Sequence, residues 1–118
     1  MRPFRFVAAI LLLTSFSASA SSGRVRSEDE AIKITQDAIH RLHLTPLADQ
    51  CRTIEVTENR YHYEVVVREL HTPACGGDPD TGPRMFNVRV RKRDRQLTSD
   101  AYDGVRYRLL DHSLPQTK

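Results

Sequence analysis

The ten residues YHYEVVVREL, from Tyr61 to Leu70, decide the fold of this 118-residue chain. Half of them are β-branched or aromatic, and apolar and polar side chains alternate along much of the stretch. Such residues favour strands, and a period of two sends successive side chains to opposite faces of a sheet. The stretch therefore predicts one long strand with a buried face. That face would carry Tyr61, Tyr63, Val65 and Val67, and the other His62, Glu64, Val66 and Arg68.

Shorter strand signals lie on both sides of this stretch. Residues 52–57 precede it, and residues 84–92 and 96–100 follow it, with apolar and polar side chains alternating again. In residues 101–112 the alternation is weaker, and a further strand and a short helix are both compatible with it. Successive strands joined by short polar segments predict an antiparallel meander.

Residues 28–43 carry the signals of a helix that precedes the strands. Ser27 can cap its first turn, and Glu30 three residues later completes a capping box. Apolar residues then recur at helical spacing, and Pro46 follows the predicted end. We therefore predict an α+β fold, in which one N-terminal helix packs on an antiparallel β-meander of about four strands.

Residues 1–20 have the pattern of a secretory signal peptide. Two early arginines precede an apolar run of about eight residues, and Ala18-Ser19-Ala20 supplies the small side chains that signal peptidase requires. The apolar run is too short to span a bilayer core. We expect export, to the periplasm, without a stable membrane anchor. Residues 21–118 would form a single domain with an ordered core of about 27–110.

The two cysteines, Cys51 and Cys75, fit an exported protein. In an oxidising compartment they can form one intramolecular bridge, and the chain has no Cys-x-x-Cys redox motif. Closing a loop of about 25 residues stabilises the folded state by roughly 3.5 kcal/mol in the chain-entropy model. We predict a structural disulfide between them.

Residues 71–83 form a long connection that is rich in turn-forming residues, with three prolines and three glycines. Hairpin connections usually have two to five residues, and Cys75 would pin this one near its middle. A rigid, protruding loop loses little entropy on binding. Asp78 and Asp80 are therefore candidate partner-binding residues. The alternative is an irregular hairpin that the disulfide only secures.

A basic segment follows this loop. Residues 84–95 contain six basic side chains and one acidic one, whereas loss of residues 1–20 lowers the net charge of the chain from +3 to +1. An anionic partner would meet this segment. Nucleic acid is not expected outside the cytoplasm, so an acidic envelope enzyme and anionic headgroups are the candidates. The partner-binding residues predicted here are Arg84, Arg89, Arg91 and Arg93.

The sequence lacks the usual catalytic and metal-binding motifs. It has no Gly-x-Ser-x-Gly elbow, no His-Glu-x-x-His and no phosphate-binding glycine loop. His40 and His43 lie three residues apart on the predicted helix without a third ligand. The run Asp78-x-Asp80-x-Gly82 lacks the later ligands of a calcium loop. We expect no cofactor, no metal site and no enzymatic activity.

Three short motifs stand in a familiar order. The acidic start of the helix runs into Ala31-Ile32, the long strand contains YEVVV, and FNVRV then leads into a polar turn at residues 92–96. This order resembles a single PepSY-type unit of small secreted bacterial proteins. That family usually has an Asp-x-x-x-Gly turn after the third strand, and the glycine is missing here. The resemblance implies a helix-plus-meander fold and a non-enzymatic role, often modulation of peptidases or other envelope proteins. It carries over no catalytic residue.

These features predict a secreted or periplasmic, non-enzymatic binding or inhibitor module that acts on a cell-envelope protein. Two forms stay open, a regulator of a peptidase and an immunity-type inhibitor of a cell-wall-degrading enzyme. The alternatives are a small envelope hydrolase and a structural or ligand-binding envelope protein. The sequence does not indicate the oligomeric state.

Overall fold

The computed structural model describes residues 23–110 of the chain. The signal peptide predicted for residues 1–20 therefore lies outside the described residues. Helix α1 is followed by a short 3₁₀ turn and five strands, and the strands pair antiparallel in chain order, which makes the sheet a meander. The elements are α1 (Glu28–Leu42), the 3₁₀ turn (Asp49–Cys51), β1 (Arg52–Glu58), β2 (His62–Glu69), β3 (Arg84–Arg91), β4 (Leu97–Ser99) and β5 (Arg108–Leu109).

Helix α1 begins at the predicted capping box and ends slightly before its predicted end. The Ser27 hydroxyl accepts a hydrogen bond from the Glu30 N–H at 3.1 Å, which satisfies a donor that the helix itself leaves unpaired. The helix ends at Leu42 because His43 adopts the left-handed conformation, with φ 50°. The chain thus leaves the helix before it reaches Pro46, one residue earlier than predicted.

One face of the sheet packs against α1 and forms the core. The helix contacts β1, β2 and β3. The predicted alternation along β2 and β3 is confirmed, except that Tyr61 lies before β2 and is 68% exposed instead of facing the core. The core side chains are Ala31, Thr35, Ala38 and Ile39 from α1, Tyr63, Val65, Val67, Phe86, Val88, Val90 and Leu97 from the strands, and Val25 and Leu110 from the segments beside them.

The sheet has five strands, where the sequence predicted about four. The additional strand is β5, a two-residue segment that pairs with β4. Before it, the Asp103 carboxylate accepts hydrogen bonds from the N–H groups of Val105 and Arg106, each at 2.8 Å, and turns the chain. Residues 101–106 therefore form turns, and the described part of the tail contains a short strand and no helix.

Candidate functional site

Residues 70–83 connect β2 to β3 and include the most exposed part of the described chain. Residues 76–84 are all exposed, and no other exposed run within residues 23–110 is as long. Asp78 and Asp80, predicted as partner-binding residues, lie within this run. We call residues 70–83 the clamped loop, because its base is fixed to the rest of the fold.

The base of the clamped loop is held by covalent and backbone bonds. The predicted disulfide between Cys51 and Cys75 is confirmed, with Cα atoms 5.5 Å apart, and it ties the loop to the 3₁₀ turn before β1. The Leu70 N–H donates to the Cys51 carbonyl at 2.8 Å, and the Glu69 N–H donates to the Pro83 carbonyl at 2.9 Å. Both ends of the loop are therefore anchored on the sheet.

Two turns order the loop between these anchors. In the first turn, the N–H of Gly76 donates to the Thr72 carbonyl at 2.8 Å. In the second, one Asp78 carboxylate oxygen accepts from the Asp80 N–H at 2.9 Å, and the Asp78 carbonyl accepts from the Thr81 N–H at 3.1 Å. An Asp side chain that bonds the backbone two residues ahead is a common way to fix a turn. The loop thus has internal structure despite its exposure.

The His71 ring joins the second turn to the end of β2. Its Nε2 lies 2.7 Å from Glu69 Oε2, and its Nδ1 lies 2.7 Å from the Asp78 carbonyl oxygen. The hydrogen bond to Glu69 is the main reason that the pKa of His71 is raised above its ordinary value, and the bond to Asp78 adds to it. His71 is therefore the side chain that links the loop to the sheet.

A groove of about 170 Å³ lies beside the disulfide. Its walls combine aliphatic side chains with the disulfide and with backbone at the two glycines, and Glu69 and His71 form its polar part. The lining residues are Leu47, Cys51, Glu69, Leu70, His71, Cys75, Gly76 and Gly77.

Gly76 and Gly77 provide a matched test of the contact with His71. Both have positive φ, 79° and 84°, so alanine costs about 1 kcal/mol of strain at either position. An added Cβ at Gly77 would lie 2.6 Å from the His71 ring, whereas one at Gly76 would meet open space. We expect Gly77→Ala to lower the free energy of unfolding by about 1–3 kcal/mol more than Gly76→Ala, because the ring must move. Urea unfolding measures the difference, and equal losses would contradict the contact.

The positive charges of residues 84–95 are largely paired within the fold. Arg84 lies 2.8 Å from Asp100, and Arg91 pairs with Asp94 and lowers the pKa of that carboxyl group to about 2. Arg93, whose side chain is 75% exposed, is only loosely paired with Asp94, at 3.8 Å. The remaining pairs are Arg89 with Glu64, Lys92 with Glu58, and Arg95 with Glu30.

A polar cluster around Glu64 lies on the face of the sheet opposite α1. The Glu64 carboxylate accepts hydrogen bonds from Asn87, Arg89 and Tyr107, each at 2.8 Å, and the Arg89 guanidinium lies 3.7 Å from the centroid of the Tyr107 ring. Burial alone would raise the pKa of Glu64, but the three hydrogen bonds together outweigh it and the pKa is lowered. The cluster fixes Tyr107 on the sheet, and Arg89 already has a carboxylate partner within it.

The predicted site residues therefore fall into two separate groups. In the part of the chain that the structure describes, Asp78 and Asp80 form no ion pair with Lys or Arg, whereas the predicted arginines pair with carboxylates elsewhere. Glu69 and His71 complete the loop site and were not predicted. The only sequence signal for them is their position, at the end of the long strand and at the start of the turn-rich connection.

His40, one of the two histidines on α1, is paired with a carboxylate. His40 Nε2 lies 2.6 Å from Asp49 Oδ1, and the buried Arg52 contacts the same carboxylate. The bond to His40 is the largest cause that lowers the pKa of Asp49, and Arg52 adds to it. Within residues 23–110, no three or more His, Cys, Asp or Glu side chains cluster in a way that could hold a metal ion.

Comparisons with known proteins find no relative of this chain. No protein-family model matches the chain, and neither the curated proteins nor the solved structures include a match. The resemblance to a PepSY-type unit stays a prediction. Residues 23–110 contain no helix that is long and apolar enough to cross a membrane.

Proposed function

We propose that this chain is an exported, non-enzymatic binding module of the cell envelope that inserts its clamped loop into a cleft of another protein. The observation that carries the proposal is the exposed run of residues 76–84, which is held by the disulfide and by internal turns. Binding costs about 0.5–1.5 kcal/mol for each side chain that it immobilises. A loop that is ordered beforehand avoids much of this cost.

The charges of the loop favour a cationic surface on the partner. Asp78 and Asp80 are exposed, and neither forms an ion pair in the described part of the chain. The arginines of residues 84–95 have carboxylate partners, so a second anion must compete with an existing ion pair for them. We infer that the clamped loop makes the main contact and that the basic segment contributes less.

An immunity-type inhibitor of a cell-wall-degrading enzyme agrees best with an acidic loop. An enzyme that acts on an anionic polymer gains from a cationic cleft, because the cleft raises the local concentration of substrate. A rigid loop that carries two carboxylates has the shape and charge to occupy such a cleft. A peptidase regulator, as the PepSY-type resemblance implies, is the second form. The disulfide supports export to an oxidising compartment such as the periplasm.

Capture from an envelope extract, followed by charge variants, tests this proposal. Asp78→Asn combined with Asp80→Lys reverses the loop charge and keeps the side-chain oxygen that forms the Asp78 turn. We expect this variant to bind the captured partner about tenfold more weakly or worse, equivalent to about 1.4 kcal/mol. The control is Asp37→Lys, which makes the same single reversal as Asp80→Lys at an exposed position of α1.

The comparison with the basic segment decides between the two surfaces. Arg93→Glu changes its most exposed cation and disturbs only a loose ion pair. We expect this variant to retain binding within about twofold of the parent, since rim charges contribute little to affinity. If the loop variant bound as well as the Asp37→Lys control while Arg93→Glu lost binding, the loop would not be the contact surface.

A further inference from the structure

We propose that His71 is a pH-dependent latch, whose doubly protonated ring holds the clamped loop closed and whose deprotonation loosens it. The latch itself is a property of the free protein. Its consequence for partner binding rests on the proposed function, because the loop that it controls is the proposed contact surface.

The two partners of the ring require that both of its nitrogens donate. Nε2 faces a carboxylate oxygen of Glu69 and Nδ1 faces the carbonyl oxygen of Asp78, each at 2.7 Å. Both oxygens can only accept hydrogen bonds, and only the imidazolium form of histidine carries two N–H groups. A neutral ring would keep one bond and place a nitrogen lone pair against the other oxygen.

The surroundings of His71 make the charged form the favoured one. Its side chain is only 14% exposed, so most of its surface contacts protein rather than water. The charged groups that face it are Glu69 from β2 and Asp78 from the loop, and both are acidic. The segment before β1 contributes Leu47 and the disulfide to the same groove, and neither carries charge.

Thr81 offers an alternative arrangement for the neutral ring. Its hydroxyl lies 3.2 Å from the Asp78 carbonyl and 3.3 Å from His71 Nδ1. With the ring charged, the hydroxyl can donate to the carbonyl beside the Nδ1–H. When Nδ1 loses its proton, the same hydroxyl can rotate and donate to the ring, which withdraws two hydrogen bonds from the Asp78 carbonyl. The second turn then keeps only the bond from Thr81 to the ring, in place of the shorter bond between Nδ1–H and the Asp78 carbonyl.

The direction of the pH dependence follows from the raised pKa of His71. The closed loop binds a proton more tightly than the open loop, in which the ring has its ordinary pKa near 6.5. The stabilisation is therefore complete below about pH 6.5 and is lost as the pH rises through the pKa of the closed state. Linkage of one proton changes the opening equilibrium by at most about tenfold per pH unit within this window.

Hydrogen exchange and a histidine titration of the oxidised protein test the latch between pH 5 and 9. The reporters are the N–H groups of Thr81 and Gly76, which bond within the loop, and protection factors remove the intrinsic pH dependence of exchange. We expect His71 to titrate above pH 6.5 and the protection of Thr81 to fall by up to about tenfold per pH unit across that titration. Amides in the centre of β2 are the internal control and should not change.

Two variants separate the latch from a general loosening of the protein. His71→Gln carries both of its N–H donors on one nitrogen and does not titrate, so it cannot bridge the two oxygens as the charged ring does. It should show weak protection of Thr81 that does not depend on pH. Glu69→Gln keeps an acceptor but removes the charge, and should lower the pKa of His71. A His71 pKa at or below 6.5, constant Thr81 protection across the range, or the parental pH profile in His71→Gln would each overturn the latch. A parent protein that shows the latch but binds no envelope partner would instead count against the proposed function.

Discussion

Replacing both Cys51 and Cys75 by alanine is expected to lower the free energy of unfolding by about 3.5 kcal/mol. The bridge spans 24 positions of the chain and joins the clamped loop to the turn before β1. Without it, the unfolded chain gains the freedom that loop closure removes. Because small domains are stable by only about 5–15 kcal/mol, this loss is large. Urea unfolding of the variant and of the parent gives the two free energies.

Reduction of the parent protein is the control for this substitution. Reduction breaks the same bond without changing the side chains, so both should lose about the same free energy. The sheet should persist in both, because the core side chains of β2 and β3 do not depend on the bridge. The account would be contradicted if the variant lost less than about 1 kcal/mol and the loop amides kept their protection from exchange.

Truncation of Ile39 to alanine is expected to lower the free energy of unfolding by about 2–5 kcal/mol. Ile39 is 1% exposed and belongs to the cluster in which α1 meets the sheet. Its truncation leaves a cavity between the two layers that neighbouring side chains fill only in part. Thermal or urea unfolding measures the loss.

Ile32→Ala is the matched control, since it removes the same atoms from the same helix at a half-buried position. Ile32→Ala should lower the free energy of unfolding clearly less than Ile39→Ala, because water already reaches part of the Ile32 side chain. The His71 resonances should be similar in both variants, because the loop is anchored through β2 and the disulfide rather than through α1. Equal costs for the two substitutions would contradict the assigned face of the helix.

The elements that could be predicted from the sequence are those whose local pattern agrees with their packing. Apolar and polar side chains alternate along residues 61–65 and 86–91, and a strand that buries one face has no other register available. The helix start at Ser27 is likewise a local signal, because the cap and its donor are three residues apart. These patterns gave the helix and the first four strands within a few residues.

The fifth strand and the exposure of Tyr61 depend on features that alternation does not contain. β5 is two residues long, and the turn at Asp103 fixes where it starts. Val105 fits the alternating pattern but is 79% exposed, because it lies in that turn instead of on the sheet. Tyr61 follows the pattern of β2 but lies one residue before the strand.

The sequence shows how many charged residues the site has, but it does not show which of them form ion pairs. Arg89 and its partner Glu64 are 25 residues apart, and only the register of β2 with β3 brings them opposite each other. The excess of positive charge in residues 84–95 therefore predicts a basic surface that the fold largely neutralises. The loop itself was predictable from its prolines and glycines, whereas the ring contacts of His71 were not, because they cross from β2 to the second turn.

The proposed binding mode requires that the clamped loop has one conformation before any partner binds. Backbone ¹⁵N relaxation of the free, oxidised protein at pH 6 measures whether it does. We expect order parameters near 0.85 for the amides of residues 72–82, equal to those of β2 and β3. Values below about 0.6 across the loop, with rigid strands beside it, would contradict the claim and the binding mode that depends on it.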